Sequence, residues 1–333
     1  MAASMIPPSA APAFLARHGW KDAEILPLAG DASFRRYFRV VDREGQRQAV
    51  LMDAPPEHED IRPFLKIADH LVAHGLRAPR ALARDLDKGL LLLEDFGDRR
   101  MNPVLAADPA QEQAAYEAAI DALVALHALP VPDVPPYDDA ALTREAKLLT
   151  EWYAPAVGID VDDAGYEIAW RRSWDGMLAR TAERPVLVLR DYHADNLMLL
   201  DDGDLGLLDF QDALAGHPAY DLVSLLQDAR RDVPETLEAA MLDRYLNRAG
   251  VGDQGAFLAD YAVLGAQRHA KVLGIFTRLW KRDGKPHYLG FQPRNWALIE
   301  RCLTHPALAD VRDWFDTNIP APARASAWQD KAA

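Results

Sequence analysis

A single cysteine, Cys302, in 333 residues excludes an intrachain disulfide and a cysteine-based zinc site, and its expected role is helix packing. Basic residues are in the minority. Thirty-seven Lys and Arg stand against 51 Asp and Glu, a formal net charge of −14, and an acidic surface that repels phosphate backbones excludes broad nucleic-acid binding. No apolar run approaches the length of a membrane span, and the first residues lack a charged-then-apolar leader pattern. A cytoplasmic chain with no membrane partner is therefore expected. Internal repeats are absent. The small-residue loop Ala29-Gly30-Asp31-Ala32-Ser33 carries one glycine and no G-x-G-x-x-G, so by itself it is an ordinary hairpin turn as readily as a phosphate cover.

Half of the residues are hydrophobic, enough for a sizeable core in one large or two smaller domains. The stretch 187–200 organises the rest. An apolar run enters the loop Arg190-Asp191-Tyr192-His193-Ala194-Asp195, and a second run leaves at Asn196. A turn at 201–204 then leads to Leu205-Gly206-Leu207-Leu208-Asp209. The runs are too short for helices and read as strands. Asp191 and Asn196 lie five residues apart in one loop, and Asp209 ends the next strand. An Asp so placed can accept the proton of an attacking hydroxyl, and an Asn with a second Asp can hold Mg²⁺ against nucleotide phosphates.

Upstream, 24–28, 34–41, 47–53, 79–84 and 90–93 read as strands, with an amphipathic helix at 57–74. Arg35 and Arg36 point to opposite faces of the second strand, so one of them can reach phosphate. Downstream, 111–129, 144–153, 166–183, 222–229 and 257–281 read as helices. Asp221 is a suitable N-cap for the fourth of these. His127 reads as a packed helix-end residue. On the last helix, Phe257, Tyr261, Leu264, Arg268, Val272, Ile275 and Leu279 form one stripe, which places a cation on an apolar face. Residues 268–287 make a basic island, including Lys271, that is either a solvated face or a lure for an anionic substrate. The ends, 1–12 and from 319 onward, read as loose arms.

The spacing D-x-x-x-x-N followed by a strand-terminal Asp resembles the protein-kinase-like catalytic core. Asp-Tyr-His-Ala-Asp-Asn with Asp-Phe-Gln-Asp resembles, more closely, the aminoglycoside phosphotransferase family of small-molecule kinases. The resemblance implies an α+β, bilobal protein-kinase-like fold, with an antiparallel-sheet N-lobe over 1–95 and a mainly helical C-lobe over 96–333. It also implies ATP and Mg²⁺. Asp191 would be the catalytic residue, and Asn196 and Asp209 the metal ligands. Gly30, Ser33, Arg35, Arg36, Glu94 and Phe96 would bind nucleotide, the last two as a hinge. His193, Arg268 and Lys271 would face substrate, and Asp221 would anchor the loop. The third strand departs from the family: Met52 stands where a phosphate-binding Lys or Arg is usual.

The stretches 30–37, 50–57, 189–193 and 268–276 are most similar to bacterial kinases that phosphorylate N-acetylmuramate and N-acetylglucosamine at C1 in peptidoglycan recycling. Within that subgroup Met52 is a feature, not decay. The expected partner is an amino sugar, and the expected state a monomer. Kinases of another small alcohol (an aminoglycoside, choline or homoserine), or a nucleotide-binding pseudokinase, are the alternatives.

Overall fold

The computed structural model describes residues 6–28 and 34–325. Gly30 and Ser33 lie outside the described residues. The chain forms two compact units, the first built from residues up to Pro109 together with Asp195–Asp212, the second from Ala110–Ala194 and the remainder from Ala213. No helix among the described residues is long and apolar enough to cross a membrane.

The first unit is an antiparallel sheet in the order β1-β2-β3-β5-β4, comprising β1 (Glu24–Pro27), β2 (Arg36–Val41), β3 (Gln48–Asp53), β4 (Ala81–Asp85) and β5 (Leu90–Glu94). Alternation decides its two faces. Phe38, Val40, Ala49, Leu51, Leu90 and Leu92 pack into one core with Phe14 and Leu15 of α1 (Ala11–Arg17). Val50 and Leu93, from the other face, line a cavity with Phe64 of α2 (Arg62–Ala73). That helix starts later than the sequence pattern suggests. Pro63 favours the first turn, and the Asp60 carboxylate accepts from Arg62 N–H at 3.0 Å, which fixes the start there. After α3 (Met101–Ala107), the hairpin of Leu197–Leu199 and Leu205–Leu207 rejoins this unit. Leu199 N–H donates to Arg99 O, and Leu207 N–H to Arg77 O.

The second unit is helical: α4 (Glu112–His127), α5 (Asp139–Ala146), α6 (Ala154–Val157), α7 (Asp163–Glu183), α8 (Ala219–Leu226), α9 (Glu235–Arg248), α10 (Gln254–Asp283), α11 (Gln292–Leu303), α12 (Ala309–Asn318) and α13 (Ala321–Ala325). Val186–Val188 pairs antiparallel with Leu214–Gly216. The whole unit is organised on α10, about 45 Å long at 1.5 Å per residue. Asp253 caps its start by accepting from Ala256 N–H, and Gly284 at φ +64° ends it in the left-handed conformation that suits glycine. The apolar stripe understates its burial. Residues 262–274 are buried on every face, Gln267, His269 and Lys271 included. A Cβ on Gly274 would stand 2.2 Å from the Leu148 backbone, so only glycine permits that approach. The C-terminal segment is docked, not loose, through residue 325. Ile319 is buried, and Arg324 donates to Ile319 O and to Asp316.

Candidate active site

In the first unit a cavity of about 300 Å³ is lined by Leu28, Val50, Leu93, Phe96, Met198 and Leu208, and it also touches Asn196 and Asp209. The apolar walls suit a planar ring, and Asn196 and Asp209 are part of a polar lining that also includes Tyr37, Arg39, Glu94, Asp95, Asp98 and Arg100. Phe96 owes its place to Gly206, where an added Cβ would lie 2.7 Å from the ring. Gly206→Val is expected to displace Phe96 and weaken nucleotide binding at least tenfold, measured by calorimetry. Unchanged affinity would show that Phe96 does not contact the nucleotide. In the stretch after β5, Glu94 N–H donates to Arg80 O and Gly97 N–H to the Asp95 carboxylate, so two of its amides are already used.

Asp209 sits at φ +58°, a conformation that side chains other than glycine adopt sparingly. Gln211 Nε2 donates to its Oδ1 at 2.9 Å, Asn196 Nδ2 approaches Oδ2 at 3.4 Å, and Arg35 Nη2 lies 3.5 Å from Oδ1. The two arginines of β2 and its entry separate as alternation requires. Arg36 is held by Asp53 on β3 (Nε–Oδ2 2.8 Å), while buried Arg35 faces Asp209. Burial works against the charge of Arg35. The electrostatic pull of Tyr37, Asp209, Glu59 and Asp212 outweighs it and holds the pKa above its ordinary value. Arg39, absent from the motif reading, lines the cavity and pairs with Asp95 and Asp98. Met52 is fully buried. Asp195 accepts from Asn102 Nδ2 at 2.8 Å, which ties down the segment before Asn196.

In the second unit the Asp191 loop is built from short backbone bonds. Asp191 N–H donates to Leu189 O, and His193 N–H to Asp191 O. Arg190 is held at φ +72°. Buried Asp221 stabilises this conformation by accepting from Leu189 N–H at 2.7 Å and Arg190 N–H at 2.8 Å. It lies within the first turn of α8, which begins at Ala219, and is not the helix N-cap that its sequence position suggests. Tyr192 anchors the loop from the other side by donating to Ala119 O.

A charged cluster surrounds the loop. Glu145 meets Arg190 and Lys271, the latter at 3.1 Å, and accepts from Tyr137; Lys271 also donates to Tyr220. Arg268 donates to Ser224 Oγ, which in turn donates to Arg190 O. Burial would push the Asp191 carboxyl up. The nearby charges of Lys271, Arg268 and Arg190 outweigh it and hold its pKa below the usual carboxylate value. Burial also lowers the His193 pKa, the Asp228 carboxylate opposing and the Arg230 charge adding to it. Arg230 Nη1 donates to His193 Nε2 at 3.1 Å, which leaves the ring proton on Nδ1.

The basic island of the sequence is thus divided. Arg268 and Lys271 are buried beneath the loop, whereas Arg282 pairs with Asp283 and Lys281 lies over Trp280. Glu145, Tyr137, Ser224 and Arg230 carry no sequence signal that would have placed them here.

The profile of the phosphotransferase enzyme family matches residues 24–261. An N-acetylmuramate/N-acetylglucosamine kinase of Pseudomonas aeruginosa is 41% identical across 95% of this chain and 96% of its own. One of Caulobacter vibrioides is 39% identical across 94% and 96%. An ADP-bound aminoglycoside phosphotransferase shares the protein-kinase-like fold at 14% identity and a TM-score of 0.57, over 88% of this chain and 97% of that one. The chain belongs to the phosphotransferase enzyme family.

Proposed function

We propose that this protein is an ATP-dependent kinase that phosphorylates the anomeric hydroxyl of N-acetylmuramate, N-acetylglucosamine or both. The observation that carries the reading is the near-full-length similarity to two bacterial kinases named for those sugars. The geometry supports the phosphoryl-transfer half of it. The cavity of the first unit takes ATP, with its phosphates toward Asn196 and Asp209. Those two side chains supply the hard oxygen donors that Mg²⁺ prefers. No group of three or more His, Cys, Asp or Glu among the described residues forms a metal cage, which suits an ion shared with nucleotide phosphates. When bound, Mg²⁺ would neutralise charge on those phosphates.

Asp191 is ionised at neutral pH. It accepts a hydrogen bond from the acceptor hydroxyl and takes its proton as transfer proceeds. Arg35 supplies the phosphate-binding cation missing from the third strand. Arg35→Ala is expected to raise the KM for ATP about tenfold or more, the cost of one charge-assisted hydrogen bond. Arg36→Ala should leave that KM within about twofold, because Arg36 serves Asp53. Equal effects on KM would remove the special role of Arg35.

The testing experiment is Mg²⁺-dependent ATP consumption with N-acetylmuramate, N-acetylglucosamine, choline, homoserine and kanamycin, followed by ³¹P NMR of the product. An acid-labile sugar 1-phosphate is expected. Turnover only with choline, homoserine or kanamycin would discard the amino-sugar reading.

A further inference from the structure

The second unit holds a further cavity, of about 670 Å³, that includes none of Asp191, His193, Arg268 or Lys271. Its size falls within the roughly 300–1,000 Å³ typical of small-molecule sites. Val124, Val186 and Phe257 give it an apolar wall, and Arg180, Arg184 and Arg248 bring three cations to it. Two are paired: Arg180 with Asp260, which also meets His217, and Arg248 with Asp121 at 2.9 Å. Arg184 is exposed and enters no ion pair among the described residues. The first turn of α10 borders the same space, but the Asp253 carboxylate already accepts from Ala256 N–H there, so Arg184 is the group left to meet an anion.

A buried polar side chain, that of His127, is also part of the lining. The His127 side chain is 4% exposed, and its Nδ1 is bonded to Tyr245 Oη at 2.8 Å. Its Nε2 has no hydrogen-bond partner among the described residues. That nitrogen lies 3.9 Å from Asp221 Oδ2, too long for a hydrogen bond. Asp221 is the carboxylate that holds the Leu189 and Arg190 amides, one residue before Asp191. One imidazole therefore separates the cavity from the support of the Asp191 loop.

We propose that this cavity is an effector site for a small molecule bearing one phosphate or carboxylate group, read out through His127 and Asp221 at the Asp191 loop. The binding half stands on the cavity alone. The effector half rests on the reading of Asp191 as catalytic.

The test is calorimetric titration with inorganic phosphate and, separately, with acetate, at constant ionic strength. It is joined by NMR of ¹³C-labelled histidine and by turnover with saturating ATP and sugar. Wild type is expected to bind one of the two anions saturably, with a shift of the His127 resonance and at least a twofold change in kcat. In Arg184→Ala the binding should weaken at least tenfold and the change in kcat disappear, while Arg35→Ala binds as wild type does. Binding lost in Arg35→Ala but kept in Arg184→Ala would assign the ion to the nucleotide site and overturn the proposal. So would an adventitious ion only, seen as non-saturating heats with no His127 shift. Saturable binding at His127 with unchanged kcat would overturn the effector half. Calorimetry and NMR do not need turnover, so a failure of the kinase reading is distinguishable from a failure of this one.

Discussion

Asp191→Asn lowers kcat by about 10³-fold, the contribution expected of a positioned proton acceptor, while ATP binding measured by calorimetry stays within about twofold. The substitution keeps the shape of the side chain and its backbone setting, with His193 N–H still donating to the residue 191 carbonyl. What it removes is the anionic oxygen that, on the proposed reading, orients the acceptor. The pH profile supplies a second reading of the same group. The carboxyl is held below its ordinary 3.8, so Asp191 is fully ionised throughout pH 5–8. Its acid limb in kcat/KM therefore lies below 3.8, and loss of activity between pH 7 and 5 belongs to other groups. Turnover near the wild-type rate in Asp191→Asn would end the assignment of Asp191 as the proton acceptor.

Asp221→Ala should have the largest effect on structure. It leaves one buried and one half-buried amide without an acceptor and relaxes the support for Arg190 at φ +72°. Unpaired buried donors cost about 1–3 kcal/mol each, and hydrogen bonds to a charged acceptor are worth about 1.5–3 kcal/mol each. A loss of about 3–5 kcal/mol is therefore expected, read as a lower urea midpoint, with faster hydrogen exchange at Leu189 and Arg190. Asp221→Asn should fall between wild type and Ala, because an amide offers one accepting oxygen where the carboxylate offers two. Unchanged exchange at those two amides in Asp221→Ala would show that the loop is held by other contacts, Tyr192 to Ala119 O among them.

The α+β class and the order of elements were legible because local periodicity carries them. Alternation at 34–41 and 47–53 gives β2 and β3 within two residues, and 3.6-residue spacing gives most of α2, α4 and α10. Helix starts were less legible. Pro63 with Asp60 moved one, and the carboxylate of Asp221, used by the loop, was unavailable to cap another. The pairing of Arg35 with Asp209 and of Arg36 with Asp53 follows from alternation only once the neighbouring strands are placed.

Residue types and their spacing are enough for the chemical inventory: Asp191, Asn196 and Asp209 at kinase-like spacing, a third strand without lysine, and one cysteine too few for a disulfide. Which charges are neutralised and which face a cavity depends instead on the packing of elements distant in sequence. Arg268 reads as a cation on an apolar face and Lys271 as part of a basic island that is either solvated or substrate-facing; both lie buried beneath the Asp191 loop, with Lys271 against Glu145 from a separate helix. The return of Asp195–Asp212 to the first unit rests likewise on backbone bonds to Arg77 and Arg99, far away in sequence. Periodicity reports on contacts a few residues apart, whereas a partner for a buried charge comes from whichever element packs against it, and no local pattern encodes that choice.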